Sequence, residues 1–211
     1  MKRIQKQKKI RDTVLIITNG RQTEKNYFNS ITNSYKSMFT IKVVYKNAQP
    51  DELVSYAISL DANLYNQIWC VFDIDDTYAE GHLLVALQSA KKNNIHIAFS
   101  NEAFEVWLLY HLTSNVSPSL TRKSYIKEIN KILDDNNIGK KFEKNDIELL
   151  KKEFIPKALQ ATEIAKRYYQ KLEANHQKEF IGNKNYPIWD WKSATTVYQL
   201  IENLQLTNRD E

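Results

Sequence analysis

Four short apolar runs punctuate the first half of the chain: Thr13–Thr18 (TVLIIT), Ile41–Tyr45 (IKVVY), Ile68–Phe72 (IWCVF) and Ile95–Phe99 (IHIAF). The first and third are almost continuously apolar and rich in β-branched or aromatic residues. That suits strands covered on both faces, as in a parallel sheet. Segments with helical patterning lie between them, at about 23–37, 50–61 and 80–93, and Leu83, Leu84 and Leu87 form part of a stripe in the last. Strands alternating with helices at these lengths predict βαβ units and an α/β sheet. After the fourth run the texture changes. Helices are predicted at about 102–112, 121–133, 147–176 and 194–205, with Ser117-Pro118-Ser119 as a break and Pro156 kinking or restarting the third of these. The expected organisation is a basic tail over 1–12, an α/β core over 13–112 and a helical region over 113–211 packed on that core.

Composition narrows the classes. At 211 residues the chain allows one ordinary domain, or a domain with an appendage, and 42% hydrophobic residues supply a core. Four glycines and four prolines disfavour a turn-rich sandwich or barrel. Cys70 is the single cysteine, which excludes an internal disulfide and a cysteine-based zinc site. No apolar run approaches the ~20 residues of a membrane span. No long apolar stretch follows the basic N-terminus, so it does not read as a secretory signal, and a cytoplasmic protein is expected.

Charge is uneven. Residues 1–11 hold six basic groups and no acid; residues 12–120 hold 7 basic and 11 acidic groups; residues 121–178 hold 14 and 9. One reading is an acidic, metal-holding centre flanked by basic surfaces that receive nucleic acid. The other is a solvated tail with ordinary surface helices.

Three segments could carry chemistry. Asp73-Ile74-Asp75-Asp76 closes the third strand. Ligands in open α/β sheets sit outside the carboxyl ends of strands. Asp73 and Asp75 are two apart, so a continuing strand points both to one side. Clustered carboxylates repel one another unless a cation intervenes, and hard oxygen ligands suit Mg²⁺ or Mn²⁺. The alternative is a solvated acidic turn in which Asp75 or Asp76 caps the next helix. At the end of the first strand, Asn19-Gly20-Arg21-Gln22-Thr23-Glu24 gives a tight turn, with Thr23 as a helix cap and Arg21 beside a helix N-terminus able to hold phosphate. The third segment runs from Ser100 to His111. Asn101 can cap its helix, Glu102 and Glu105 sit at the positive end, and Phe104, Trp107, Leu108 and His111 share a face. Glu105 either reaches the cleft of Asp73 or only satisfies the helix dipole; His111 either joins the site or is a hydrogen-bonded histidine of the core edge.

In this order the segments resemble the RloB-like family of phage-defence proteins, which includes the abortive-infection AbiLii-type proteins. The family's E-G-x-x-T-E-x-x-Y-F appears as Asn19 to Phe28, and W-x-V-F-D-x-D-D as Trp69 to Asp76. S-N-P-x-F-E-x-W-L-L-x-H appears as Ser100 to His111 with Ala103 for Pro, and S-x-T-T-V as Ser193 to Val197 with Thr195 and Thr196. The likeness covers about residues 13–205. That family is similar to TOPRIM domains. The resemblance implies a Rossmann-like, mainly parallel sheet whose acids bind Mg²⁺ or Mn²⁺ for nucleic-acid cleavage. It places the D-x-D on Asp73 and Asp75, with Asp76 beside them, and the acid after the first strand on Asn19, an amide with no charge to offer as a base. Glu24 or Glu105 would then complete the site, and Arg21, Lys25, Arg122 and Lys123 would hold RNA or DNA. An ATPase partner in a two-component defence system is also implied. The substitution at Asn19 opens a second reading, a binding or assembly subunit without catalysis. A third, the haloacid-dehalogenase-like phosphatases, rests on Asp73-Ile74-Asp75-Asp76-Thr77 as D-x-D-x-T, with Ser100 as its second motif.

Overall fold

The computed structural model describes residues 12–74, 81–177 and 191–209. The first half runs β1 (Thr13–Thr18), α1 (Thr23–Ser34), a two-residue β2 (Tyr35–Lys36), β3 (Thr40–Tyr45), α2 (Pro50–Ser59), β4 (Gln67–Ile74), α3 (His82–Lys92), β5 (His96–Asn101) and α4 (Glu105–Leu112). Four strands form a parallel sheet in the order β3-β1-β4-β5. The four apolar runs are those strands, and the fold is α/β.

The strand order explains where a ligand can sit. From β1 the chain crosses through α1 to β3 on one side; from β4 it crosses through α3 to β5 on the other. The two connections diverge between neighbours β1 and β4, which opens a crevice at their carboxyl ends. Asn19 follows β1, its N–H extending the ladder to the Val71 carbonyl (3.0 Å), and Asp73 is the penultimate residue of β4. Right-handed crossovers place α1 on one face and α2 and α3 on the other, where these two pack together.

The second half is helical: α5 (Arg122–Asp135), a short α6 (Ile147–Leu149), a π-helical stretch Leu150–Phe154, a 3₁₀ turn Ile155–Lys157, α7 (Ala158–Gln177) and α8 (Val197–Asn203). A two-residue β6 (Thr207–Asn208) pairs antiparallel with β2. Pro156 has no N–H to donate, and the α-helix restarts at Ala158 just after it. The Ile155 carbonyl accepts from the Ala158 N–H and also from the Tyr35 hydroxyl (2.8 Å). One apolar core spans both halves. Tyr27 and Phe28 of α1 meet Phe104 edge-on, Tyr27 meets Trp107 likewise, and Phe154 packs on Phe142.

Helix starts differ from expectation because tertiary partners claim the Thr23 side chain and the Asn101 backbone. Thr23 does not cap α1; Gln22 precedes it without a side-chain cap, and the Thr23 hydroxyl donates instead to the Lys144 carbonyl (3.4 Å). Asn101 ends β5 rather than capping α4, which begins at Glu105. The last helix begins at Val197, because Ala194–Thr196 runs antiparallel beside β5: Asn101 N–H donates to Ala194 O and Thr196 N–H to Phe99 O, both at 2.9 Å. That strap covers the edge of the sheet at β5.

Candidate active site at the sheet edge

Gly20 turns the chain out of β1, with its carbonyl held by the Thr18 hydroxyl (3.0 Å). The carboxylate of Glu24, one helical turn on, folds back against it. A Cβ at residue 20 would overlap that carboxylate, so only glycine admits the approach. Glu24 is therefore brought over the β1 exit, next to Asn19. Asp73 comes to the same crevice from β4 with its side chain 12% exposed, and Glu105 from the first turn of α4 with its side chain 5% exposed.

Two cations reach in from the helical half. Arg122 opens α5 and lies 3.4 Å from an Asp73 carboxylate oxygen. Its backbone N–H donates to Glu102 (3.0 Å), and the Tyr125 hydroxyl, one turn on, bonds the Asn101 carbonyl, so the start of α5 is tied to the end of β5. Lys144 lies in the loop before α6, with its ammonium 2.8 Å from Glu105. The loop is anchored by Thr23 on α1 and by Asn130 on α5, whose amide oxygen accepts from Phe142 N–H (2.6 Å). Together Asn19 to Glu24, Asp73, Arg122 and Lys144 line a cleft of about 330 Å³.

The three acids act on one another. Burial raises the Asp73 carboxyl well above the usual range, and the charges of Glu24 and Glu105 push it further; Arg122 and Lys144 offset part of this. Glu24 is raised chiefly by burial and then by Glu105, against the same two cations. Three carboxylates facing two cations leave the cluster one positive charge short, so a bound proton or a further cation is favoured. The donor set is hard oxygen, which fits Mg²⁺ or Mn²⁺ in chemistry and in charge. Among the described residues no three His, Cys, Asp or Glu side chains are already gathered as metal ligands. Asp75 and Asp76 lie outside the described residues, as does the basic tail over 1–11.

The model of the RloB-like protein family matches residues 14–204. The chain belongs to the RloB-like family. No curated protein and no solved structure matches it. In this RloB-like chain the motifs divide into those that meet at the cleft and those that build it. Asn19, Gly20, Arg21, Thr23, Glu24, Asp73 and Arg122 line it, and Glu105 is coupled to it.

His111 does not line the cleft. It is buried against Tyr27, Trp107 and Phe154. Its Nδ1–H donates to the Trp107 carbonyl (2.9 Å), which leaves Nε2 to accept from the Tyr27 hydroxyl (3.0 Å). Burial pulls its pKa down to about 3, so the ring is neutral and structural. Thr195 and Thr196 are stitches of the strap: the Thr195 hydroxyl donates to the Phe99 carbonyl, and that of Thr196 accepts from Phe99 N–H, each at 2.9 Å. Ser100, paired with Asp73 in the register of β4 and β5, is buried and engaged with the Thr195 hydroxyl (2.9 Å). Lys25 and Lys123 are not among the residues lining the cleft. Lys144 is the site residue that sequence reasoning missed. It sits in a loop rich in Lys and Asn, without periodicity or motif to mark it.

Proposed function

We propose that this protein is a TOPRIM-like, metal-dependent nuclease that hydrolyses phosphodiesters of RNA or DNA as the effector of an anti-phage abortive-infection system. The observation that carries the reading is the meeting of Glu24, Asp73 and Glu105 with Arg122 and Lys144 at the topological switch of the sheet. Glu24 answers the substitution at Asn19: folded over Gly20, it returns a carboxylate to the exit of β1. Glu24 and Asp73, with Asp75 and Asp76 by family resemblance, would hold Mg²⁺ or Mn²⁺. When bound, that ion supplies charge neutralisation of the phosphodiester and a more acidic water.

The chain's own groups do the rest. Arg122 and Lys144 bind the non-bridging phosphate oxygens and offset the charge that develops there. Arg21, exposed at the cleft mouth, adds a contact to the backbone. A carboxylate of the cleft, Glu24 or Glu105, accepts the proton of the attacking water. The defence role and an ATPase partner rest on the family alone.

The test is cleavage of single-stranded RNA, transfer RNA and DNA by the purified chain, with Mg²⁺, with Mn²⁺ and with EDTA. Metal-dependent cleavage that Asp73→Ala abolishes is the expected result. No cleavage by the wild type, with or without an ATPase partner, overturns the nuclease reading. It would favour a binding subunit of a defence complex, the reading that the amide at Asn19 supports.

A further inference from the structure

A second concavity adjoins the cleft. It runs along α5, between that helix and the loop that carries Lys144, and encloses about 660 Å³. Lys123, Lys127 and Lys131 stand along it at successive turns, a rise of about 6 Å each. Lys141 faces them from the loop, and Ile126 and Asn130 lie between. The stripe is the side of α5 opposite its buried residues Tyr125, Ile129 and Leu133.

Convergence on one groove separates these four lysines from an ordinary solvated face. Among the described residues, none of the four is in an ion pair, although Asp134 and Asp135 line the same groove. Elsewhere in the helical half Lys140 pairs with Asp146, Lys166 with Glu202 and Lys192 with Glu102, while among the described residues Lys151, Lys157 and Lys171 form no ion pair. The groove and the cleft have different lining residues but draw on the same two elements, α5 and the loop after it. Arg122, over Asp73, is the neighbour of Lys123, and one loop contributes Lys141 to the groove and Lys144 to the cleft. The positive line therefore continues from α5 to the buried carboxylates, and the two aspartates close its far end.

We infer that this groove is the track by which a single nucleic-acid strand, held by its phosphates, is led into the cleft. The cleft end of the track rests on the function proposed above; the binding does not. Buried carboxylates are reached by a backbone that can bend inward, which a single strand does and a duplex resists. No aromatic side chain lines the groove, so bases find no stacking platform and binding is read from charge. RNA and DNA strands of any sequence are then held alike, with a steep dependence on salt. No cation of α7 lines the groove.

The test is fluorescence anisotropy with labelled oligo-uridylate, oligo-thymidylate and a duplex of the same length, using the full chain in EDTA so that no strand is cut. For Lys127→Ala/Lys131→Ala the expected result is a loss of affinity of about tenfold or more near 0.1 M salt. The log–log salt slope should flatten by about 1.4, or about 0.7 per lost phosphate contact on a single strand. The Lys127→Arg/Lys131→Arg variant should bind as the wild type, and Arg167→Ala/Lys171→Ala on α7 should change neither quantity. Wild-type affinity and slope in Lys127→Ala/Lys131→Ala overturn the track, as does an equal loss from the α7 pair. A duplex bound as tightly as the single strands overturns the assignment to a single strand. Track binding without cleavage under any metal would sink the nuclease reading alone; cleavage without track binding would sink the track alone.

Discussion

The carboxylate of Glu24 occupies the space that a side chain on Gly20 would fill. The two residues are one device: the glycine exists so that an acid one turn along can return to the end of β1. Gly20→Ala should expel Glu24 from the cleft. The atoms in the way are the movable end of a flexible side chain, and they leave acids that repel one another, so urea unfolding should change little. The loss should fall on metal-dependent cleavage, and in the Glu24→Ala background Gly20→Ala should cost no further cleavage. Additive losses of cleavage would mean that the two side chains do not compete for this space.

Asn19→Glu should leave Mg²⁺-dependent cleavage intact or raise it, since it adds a charged oxygen donor at the cleft. Without metal it should lower the melting temperature, because a further like charge joins acids that already repel one another. Mg²⁺ should restore the difference. Cleavage seen only in Asn19→Glu would mark the natural chain as a disabled relative.

Stability in EDTA should fall as pH rises. The folded protein holds the protons of Glu24 and Asp73 more tightly than the unfolded chain, where values near 4.5 and 3.8 apply. Above those values the folded state binds more protons, so the stabilisation present at low pH is lost as pH climbs through the raised values. Glu24→Gln should flatten this limb, as should saturating Mg²⁺. A stability curve of the same slope in wild type and Glu24→Gln would contradict the clustering of the acids.

His111 should act with the opposite sign. Its folded value, about 3, lies below the usual 6.5, so as pH falls the unfolded chain takes the proton first. Stability should be lost progressively from about pH 6.5 downward, at up to about 1.4 kcal/mol per pH unit for this one group. His111→Gln should be less stable at pH 7, having lost the contacts of the ring with Tyr27 and Trp107, but its acid limb should be shallower. Chemical denaturation between pH 7 and pH 4 reads both effects.

The strands were legible because β-branched and aromatic runs of the right length have few alternatives, and the sheet placed Asp73 where its run predicts. Glu105 was half legible: the helix dipole and the cleft both explain an acid at a first turn, and only the approach of Lys144 distinguishes them. His111 shares a helical stripe with Trp107 in sequence, and the stripe proved to be core. Thr23 and Asn101 look like caps locally, but the Thr23 hydroxyl bonds the distant Lys144 carbonyl and the Asn101 backbone is held in β5 by the strap, and a local rule sees neither partner. Lys144 had no pattern at all; its role comes from a loop pinned at both sides.

The strap Ala194–Thr196 is also a statement about time. During synthesis the four strands and their crossovers emerge long before residue 194, and domains begin to fold as they appear. Until then the backbone groups of β5 that bond the strap stand open, the kind of edge on which strands of neighbouring chains add themselves. Closing that edge requires contacts between residues about ninety-five positions apart, which makes it a late event. A nascent or shortened chain without the strap would thus hold a nearly complete sheet in its most adhesive form, and a segment made long after β5 is the one that renders the sheet safe to accumulate.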